Sequence, residues 1–203
     1  MLLGAHPDDA EFGCGATVAK LTENNCNVYY AMFSMCEESV PEGYPKDVLK
    51  TEAVKSSKIL GIPRDNLLFY NYPVRRLAQY RQELLEDMVI LRDKLKPDLL
   101  ILPSKQDLHQ DHSTIANEGW RAFKSSSIVG YESIWNNLSF TTHMFSVIEP
   151  EHLEKKIRAI KSFESQTFRS YSKESFIRSL AEVRGTQINR SLAEAFEVIR
   201  WIT

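Results

Sequence analysis

The chain has 203 residues, 43% of them hydrophobic and 26% charged, and a net charge of −2. That length fits one full-sized domain over residues 1–203 with ample material for a core, and a near-neutral charge with no basic tract argues against nucleic acid as a partner. No apolar run approaches the roughly 20 residues of a membrane helix, and the N-terminal stretch lacks the features of a signal peptide, so the expectation is a cytoplasmic protein with no membrane-spanning segment.

Apolar runs of strand length alternate with amphipathic runs of helix length, the pattern that builds a parallel sheet covered by helices. "MLLGA" reads as a short first strand. A helix opening near Ala10 continues through "ATVAKLTENN", where the Asn-Asn pair closes it before a second strand in "NVYYAMFS". "DVLKTEAVKSSKILGI" is a second helix with Val48, Ala53, Ile59 and Leu60 as core contacts, stopped by Gly61 and Pro63, and "NLLFYNYP" is the third strand. The stretch "YRQELLEDMVILRDKLKP" carries Leu84, Leu85, Met88, Leu91 and Leu95 at helical spacing and ends at Pro97. "DLLILP" follows as a strand covered on both faces, because its apolar residues run without alternation. "HSTIANEGWRAF" is a fourth helix and "SIVGYE" a fifth strand. Beyond residue 133 come a strand in "FTTHMFSVI", helices in "PEHLEKKIRAIKSFESQ" and "SKESFIRSLAEVRG", and a final "AEAFEVIRW" expected to close the sheet. No internal repeat or linker divides the chain.

Two polar clusters stand out. "HPDD", residues 6–9, lies where the first strand gives way to its helix, and "DLHQDH", residues 107–112, occupies the equivalent place after the fourth strand. The carboxyl ends of strands in an open α/β sheet face a crevice that the helices leave uncovered, and where the winding reverses, the first and fourth strands become neighbours. His6, Asp8, Asp9, His109 and His112 then converge on one site, with Asp111 able to support a histidine. Catalytic zinc typically takes three imidazole and carboxylate ligands and leaves a further position open. His6, Asp9 and His112 supply such a set, and Asp8 stays free as a base. Taken singly, each cluster has a plainer explanation. Paired aspartates after a strand cap helices, and a His-x-Asp-His stretch often hydrogen-bonds only within itself.

With both clusters in place, the sequence resembles the LmbE/PIG-L family of metal-dependent N-deacetylases, through "AHPDDAEFGCGAT", "DLHQDH", "KKIRAIKSFESQ" and "RGTQINRSLAEAF" in that order. The resemblance implies a three-layer, Rossmann-like α/β fold with a mostly parallel sheet, and removal of the acetyl group from an N-acetylglucosamine-type amino sugar or its conjugate by attack of zinc-bound water. It implies that His6, Asp9 and His112 bind zinc, that Asp8 is the general base, and that His109 polarises the amide carbonyl with Asp111 holding it protonated. It also implies a small N-acetylated amino-sugar substrate and a homo-oligomer. Fe²⁺ or another divalent ion suits the same nitrogen and oxygen donors. Two alternatives stay open, an amidase for a bulkier acyl or thiol-conjugate amide, and a non-catalytic sugar- or metal-binding protein.

The chain departs from the family pattern at Leu108, where an aromatic residue is common, and near Lys50 and Glu52, where an arginine usually precedes the glutamate. Cys14, Cys26 and Cys36 have no paired metal spacing and are expected as free thiols, with Cys14 a buried core residue. His143 and His152 lie outside the clusters. Arg184 and Glu194 suggest a structural ion pair beneath the site. The "YESIWNN" stretch suits a sugar-binding wall, with a core or interface role for Trp135 equally open. "GCG" lacks the third glycine of a dinucleotide turn, and the acidic residues before it oppose a pyrophosphate.

Overall fold

The computed structural model describes residues 1–203. Its elements run in chain order as β1 (Leu2–Gly4), α1 (Asp9–Glu23), β2 (Tyr30–Met32), α2 (Val48–Ile59), β3 (Leu67–Phe69), α3 (Arg81–Leu95), β4 (Leu99–Pro103), α4 (Gln110–Ala122), β5 (Ser127–Tyr131), β6 (Met144–Val147), α5 (Pro150–Lys161), α6 (Glu174–Thr186) and β7 (Ala193–Arg200). The seven strands form one sheet in the order β3-β2-β1-β4-β5-β7-β6. The first five pair in parallel, while β7 runs antiparallel to both β5 and β6. No helix is long and apolar enough to cross a membrane.

Alternation along the short strands supplies both cores. Leu2 and Ile101 face one layer with α1, α2 and α5, whereas Leu3, Leu100 and Leu102 face the other with α3 and α4. The unbroken apolar run of β4 therefore has a partner on each face, as its pattern predicts. The helix positions named from spacing divide by depth, with Leu84, Met88 and Leu91 buried and Leu85 and Leu95 packed at the margin. The C-terminal strand departs from expectation. Instead of closing the edge of the sheet, β7 inserts between β5 and β6.

Two glycines set how closely the helices that begin at the site can approach the sheet. A Cβ on Gly13 of α1 would meet the Tyr131 ring at 2.3 Å, and one on Gly119 of α4 would meet Leu102 and Leu3 at 2.9 and 3.0 Å. Gly13 thus lets α1 sit closer to β5 than a side chain would allow, while a side chain at Gly119 would require the ends of Leu102 and Leu3 to shift.

α1 is not continuous. Cys14 leaves helical geometry at φ −150°, and Glu194 of β7 accepts the amide hydrogens of Ala16 and Thr17 at 3.2 and 2.7 Å, so β7 caps the helix that restarts there. Lys156 neutralises that buried carboxylate at 2.6 Å. The expected link between Arg184 and Glu194 is therefore corrected. Arg184 pairs with Glu132, just past the end of β5, while Glu194 of β7 takes Lys156 of α5. Glu52, buried in α2, accepts from the backbone and hydroxyl of Ser165 at 2.9 and 2.6 Å and fastens the loop after α5.

Glu11 is enclosed in α1, with one carboxyl oxygen bonded to the Ser56 hydroxyl and the other without a partner. Burial pushes its pKa from 4.5 to about 8. A carboxyl whose folded pKa is raised favours the fold below its unfolded pKa and loses that contribution as pH rises toward the folded one. Glu11→Gln is expected to gain stability relative to wild type progressively between about 4.5 and about 8, read as denaturation midpoints across that range. A difference constant with pH would show that Glu11 is charged in the folded protein.

Candidate active site

The sheet reverses its winding between β1 and β4, so the loops after these two strands open side by side. The turn after β1 is fixed from below by Tyr30, whose buried hydroxyl accepts from Ala10 N and lies 3.3 Å from the His6 carbonyl. From within the turn, the Asp9 carboxylate accepts the His6 amide at 2.8 Å. After β4, Asp107 accepts the His109 amide at 2.8 Å, and His109 caps α4 by accepting from Asp111 N at 3.2 Å. Both loops are held by their own polar groups before any ligand is considered.

These constraints bring His6, Asp9 and His112 together. His112 Nε2 lies 3.2 Å from His6 Nδ1 and 3.2 Å from Asp9 Oδ1, and His6 Nδ1 lies 3.4 Å from the same Asp9 oxygen. Three donors on a tetrahedral ion with bonds of about 2.0–2.1 Å stand about 3.3–3.4 Å apart, so this triangle has the size of one face of such a site. The outer nitrogen of each histidine is held by a second carboxylate. Asp107 Oδ2 bonds His112 Nδ1 at 2.7 Å, and Asp111 Oδ2 bonds His6 Nε2 at 3.1 Å. Carboxylates behind metal-binding imidazoles fix ring orientation and tautomer in this way. One ring nitrogen from each of His6, His109 and His112 also lies within 4.8 Å of the other two, a second donor set with wider spacing.

The electrostatics follow from this crowding. Burial opposes charge on His6 and His112, yet Asp9 with Asp111 raises the first to about 9, and Asp9 with Asp107 raises the second to about 10. Asp9, although buried, is held well below the usual carboxylate range by those two imidazoles. This is a concentration of negative charge and nitrogen donors that suits a cation. Burial, then the neighbouring Asp9 charge, pushes Asp8 upward. Asp8 stands at the N-cap of α1 without making a capping bond, so the plain helix-capping explanation of the paired aspartates does not hold.

His109 is where the sequence expectation needs correcting. The Asp111 carboxylate does not hold it. That group serves His6 and the amides of Arg75 and Leu77 at 2.6 and 3.2 Å. Burial and the charges of His6 and His112 lower the His109 pKa to about 4, so the ring is neutral. Because its Nδ1 accepts from a backbone amide, the hydrogen resides on Nε2.

The tripod opens into a cleft of about 440 Å³ lined by Asp8, Trp135, Tyr171, Arg75 and Arg169 among others. Trp135 stacks on Tyr171 with centroids 3.9 Å apart, and Phe12 meets both rings edge-on. The "YESIWNN" stretch thus lines the cleft through Trp135 and Asn136. The cysteines are free, and Cys14 is in the core. His143 accepts from Val198 N, and His152 belongs to the cap of α5 and contacts Glu23, so neither joins the site. The sequence reading gave no role to Asp107, Tyr30, Arg75 or Arg169. Only Asp107 carried a signal, a second acidic group, beside Asp111, inside the second cluster.

Residues 1–123 match the family model described as PIG-L, GlcNAc-PI de-N-acetylase. The chain is 28% identical over 174 residues to the uncharacterized deacetylase YaiS of Escherichia coli, covering 81% of this chain and 90% of that protein. It is 23% identical over 182 residues to the diacetylchitobiose deacetylase of Thermococcus kodakarensis, covering 79% of this chain and 67% of that one. Among solved structures, a conserved protein of Thermus thermophilus superposes with a TM-score of 0.85 at 21% identity, covering 100% of this chain and 94% of the other. With more than half of its length matched by the family model, and both polar clusters inside that span, the chain belongs to the PIG-L family of deacetylases, hydrolases that act on an amide bond.

Proposed function

We propose that the chain removes the acetyl group from an N-acetylglucosamine-type amino sugar or its conjugate, with His6, Asp9 and His112 as metal ligands. The observation that carries this reading is the triangle of 3.2, 3.2 and 3.4 Å among three inward donors, with an uncapped carboxylate, Asp8, next to it. Zinc fits the donor set, and Fe²⁺ fits it on the same grounds. When bound, such an ion supplies Lewis acidity and makes water a competent nucleophile at neutral pH.

The remaining work falls to the chain's own side chains. Asp8 takes a proton from the attacking water on its carboxylate, and its raised pKa suits a base that must afterwards release that proton. As the oxygen–carbon bond forms, negative charge grows on the amide oxygen, and the neutral His109 donates to it from Nε2. This role needs no protonated imidazole. The carbon–nitrogen bond then breaks, and the amine leaves with the proton that Asp8 had accepted. Acetate and a free amino sugar are the products. Asp107 and Asp111 act by orienting His112 and His6.

Elemental analysis of the purified protein is expected to find about one divalent ion per chain, absent from His112→Ala, with Asp107→Ala binding it about 10–100-fold more weakly. A wild-type protein that takes up no ion after incubation with zinc or ferrous iron would favour a sugar-binding role. Asp8→Asn is expected to keep the metal and lose about 10²–10⁴-fold in the rate of acetate release from an N-acetylated amino sugar. Unchanged turnover in that variant would remove Asp8 from the reaction, and release of an acid other than acetate would identify a bulkier acyl substrate.

A further inference from the structure

The turn that leads into α1 is not closed by its own backbone. Continued backward, the helical ladder would join the Ala10 amide to the His6 carbonyl and the Glu11 amide to the Pro7 carbonyl. Neither bond is present, and the ladder begins with Phe12 N to Asp8 O at 3.3 Å. The Tyr30 hydroxyl occupies the gap. It accepts from Ala10 N at 3.2 Å and stands 3.3 Å from the His6 carbonyl oxygen and 3.4 Å from that of Pro7, so its single hydrogen serves either carbonyl. A side chain inserted into the ladder in this way opens the turn where it enters.

The hydroxyl reaches this place from a neighbouring strand. Tyr30 is buried in β2, opposite Leu2 of β1, and its ring passes the end of β1 at Gly4. A Cβ on Gly4 would stand 2.8 Å from the hydroxyl and 2.9 Å from the His6 carbonyl oxygen, so the bare glycine leaves the passage clear. His6, Asp8 and Asp9 all lie on the segment between the backbone groups that the hydroxyl bridges. The bond from the His6 amide to the Asp9 carboxylate at 2.8 Å ties two of these residues to each other, but it does not fix how far the turn stands open. A phenyl ring would fill the same core position as the tyrosine ring, so what distinguishes Tyr30 at this position is its hydroxyl.

We infer that Tyr30 is a positioning residue whose hydroxyl wedges the first turn of α1 open and so sets the spacing of His6 and Asp9 against His112, with the role of these three as ion ligands taken from the proposed function. Without the hydroxyl, the Ala10 amide and the His6 carbonyl bond to each other directly, the turn contracts, and His6 is drawn out of the triangle.

Tyr30→Phe in the full chain tests this through three readouts that need no substrate. A crystal structure of the ion-free variant is expected to show Ala10 N about 3 Å from the His6 carbonyl oxygen, with the His6 Nδ1 to Asp9 Oδ1 separation moved away from 3.4 Å. Titration with cobalt(II) is expected to give binding about tenfold or more weaker than wild type, with an altered visible spectrum. The denaturation midpoint of the ion-free protein is expected to stay near that of wild type, because the direct bond satisfies the groups that the hydroxyl had served. A merely structural hydroxyl would give the reverse pattern, a lower ion-free midpoint with cobalt affinity and spectrum unchanged, and that pattern would overturn the inference. A turn that stays open in the variant, with the triangle intact, would overturn it too. Wild-type protein that takes up no cobalt would defeat the proposed ion site, and the ion-free structures would then decide the wedge alone, a contracted turn supporting it and an open one refuting it.

Discussion

The site depends on one buried carboxylate, Asp9, set between two imidazoles that come from opposite halves of the family-matched region. Its oxygen stands 3.4 Å from His6 and 3.2 Å from His112. That contact requires β1 and β4 to be adjacent, which follows from the reversal of winding between them. It also requires α1 and α4 to start close to the sheet, which Gly13 and Gly119 permit. The polar groups beneath complete the arrangement. Asp107 and Asp111 orient the rings, and Tyr30 secures the turn that carries Asp9.

The same crowding separates the protonation behaviour of like groups. Two imidazoles share Asp9 and are drawn toward charge, while the third, His109, is left neutral with its Nε2 hydrogen available. Two adjacent aspartates diverge in the same way. Asp9 is locked into the tripod and strongly acidic, whereas Asp8 has no capping duty and its pKa is raised. Neighbouring groups of one type driven to opposite protonation behaviour are what acid and base chemistry at a single site requires.

How much of this was legible in the sequence depended on whether the controlling interaction was local. The alternation of strands and helices, the two-faced burial of β4 and the convergence of "HPDD" with "DLHQDH" follow from periodicity and from the geometry of doubly wound sheets. The partner of Asp111 was misassigned because proximity along the chain suggested His109, while the carboxylate points across to His6, 105 residues away. Asp107 sits in a loop, where no periodicity announces which ring it meets. The Lys156–Glu194 pair depends on β7 entering between β5 and β6, a nonlocal choice that no window of sequence contains. Arg75 was invisible for another reason, since a left-handed backbone is normally signalled by glycine or asparagine and here belongs to an arginine.

The central claim, that Asp9 and two histidines rather than three histidines form the ion site, is tested most directly by the visible spectrum of the cobalt(II)-substituted protein. The account predicts saturation at about one equivalent with a spectrum of low coordination number. Asp9→Asn should abolish that spectrum, and His109→Ala should leave its stoichiometry intact. Loss of the ion in His109→Ala with retention in Asp9→Asn would contradict the account and assign the ion to His6, His109 and His112 instead.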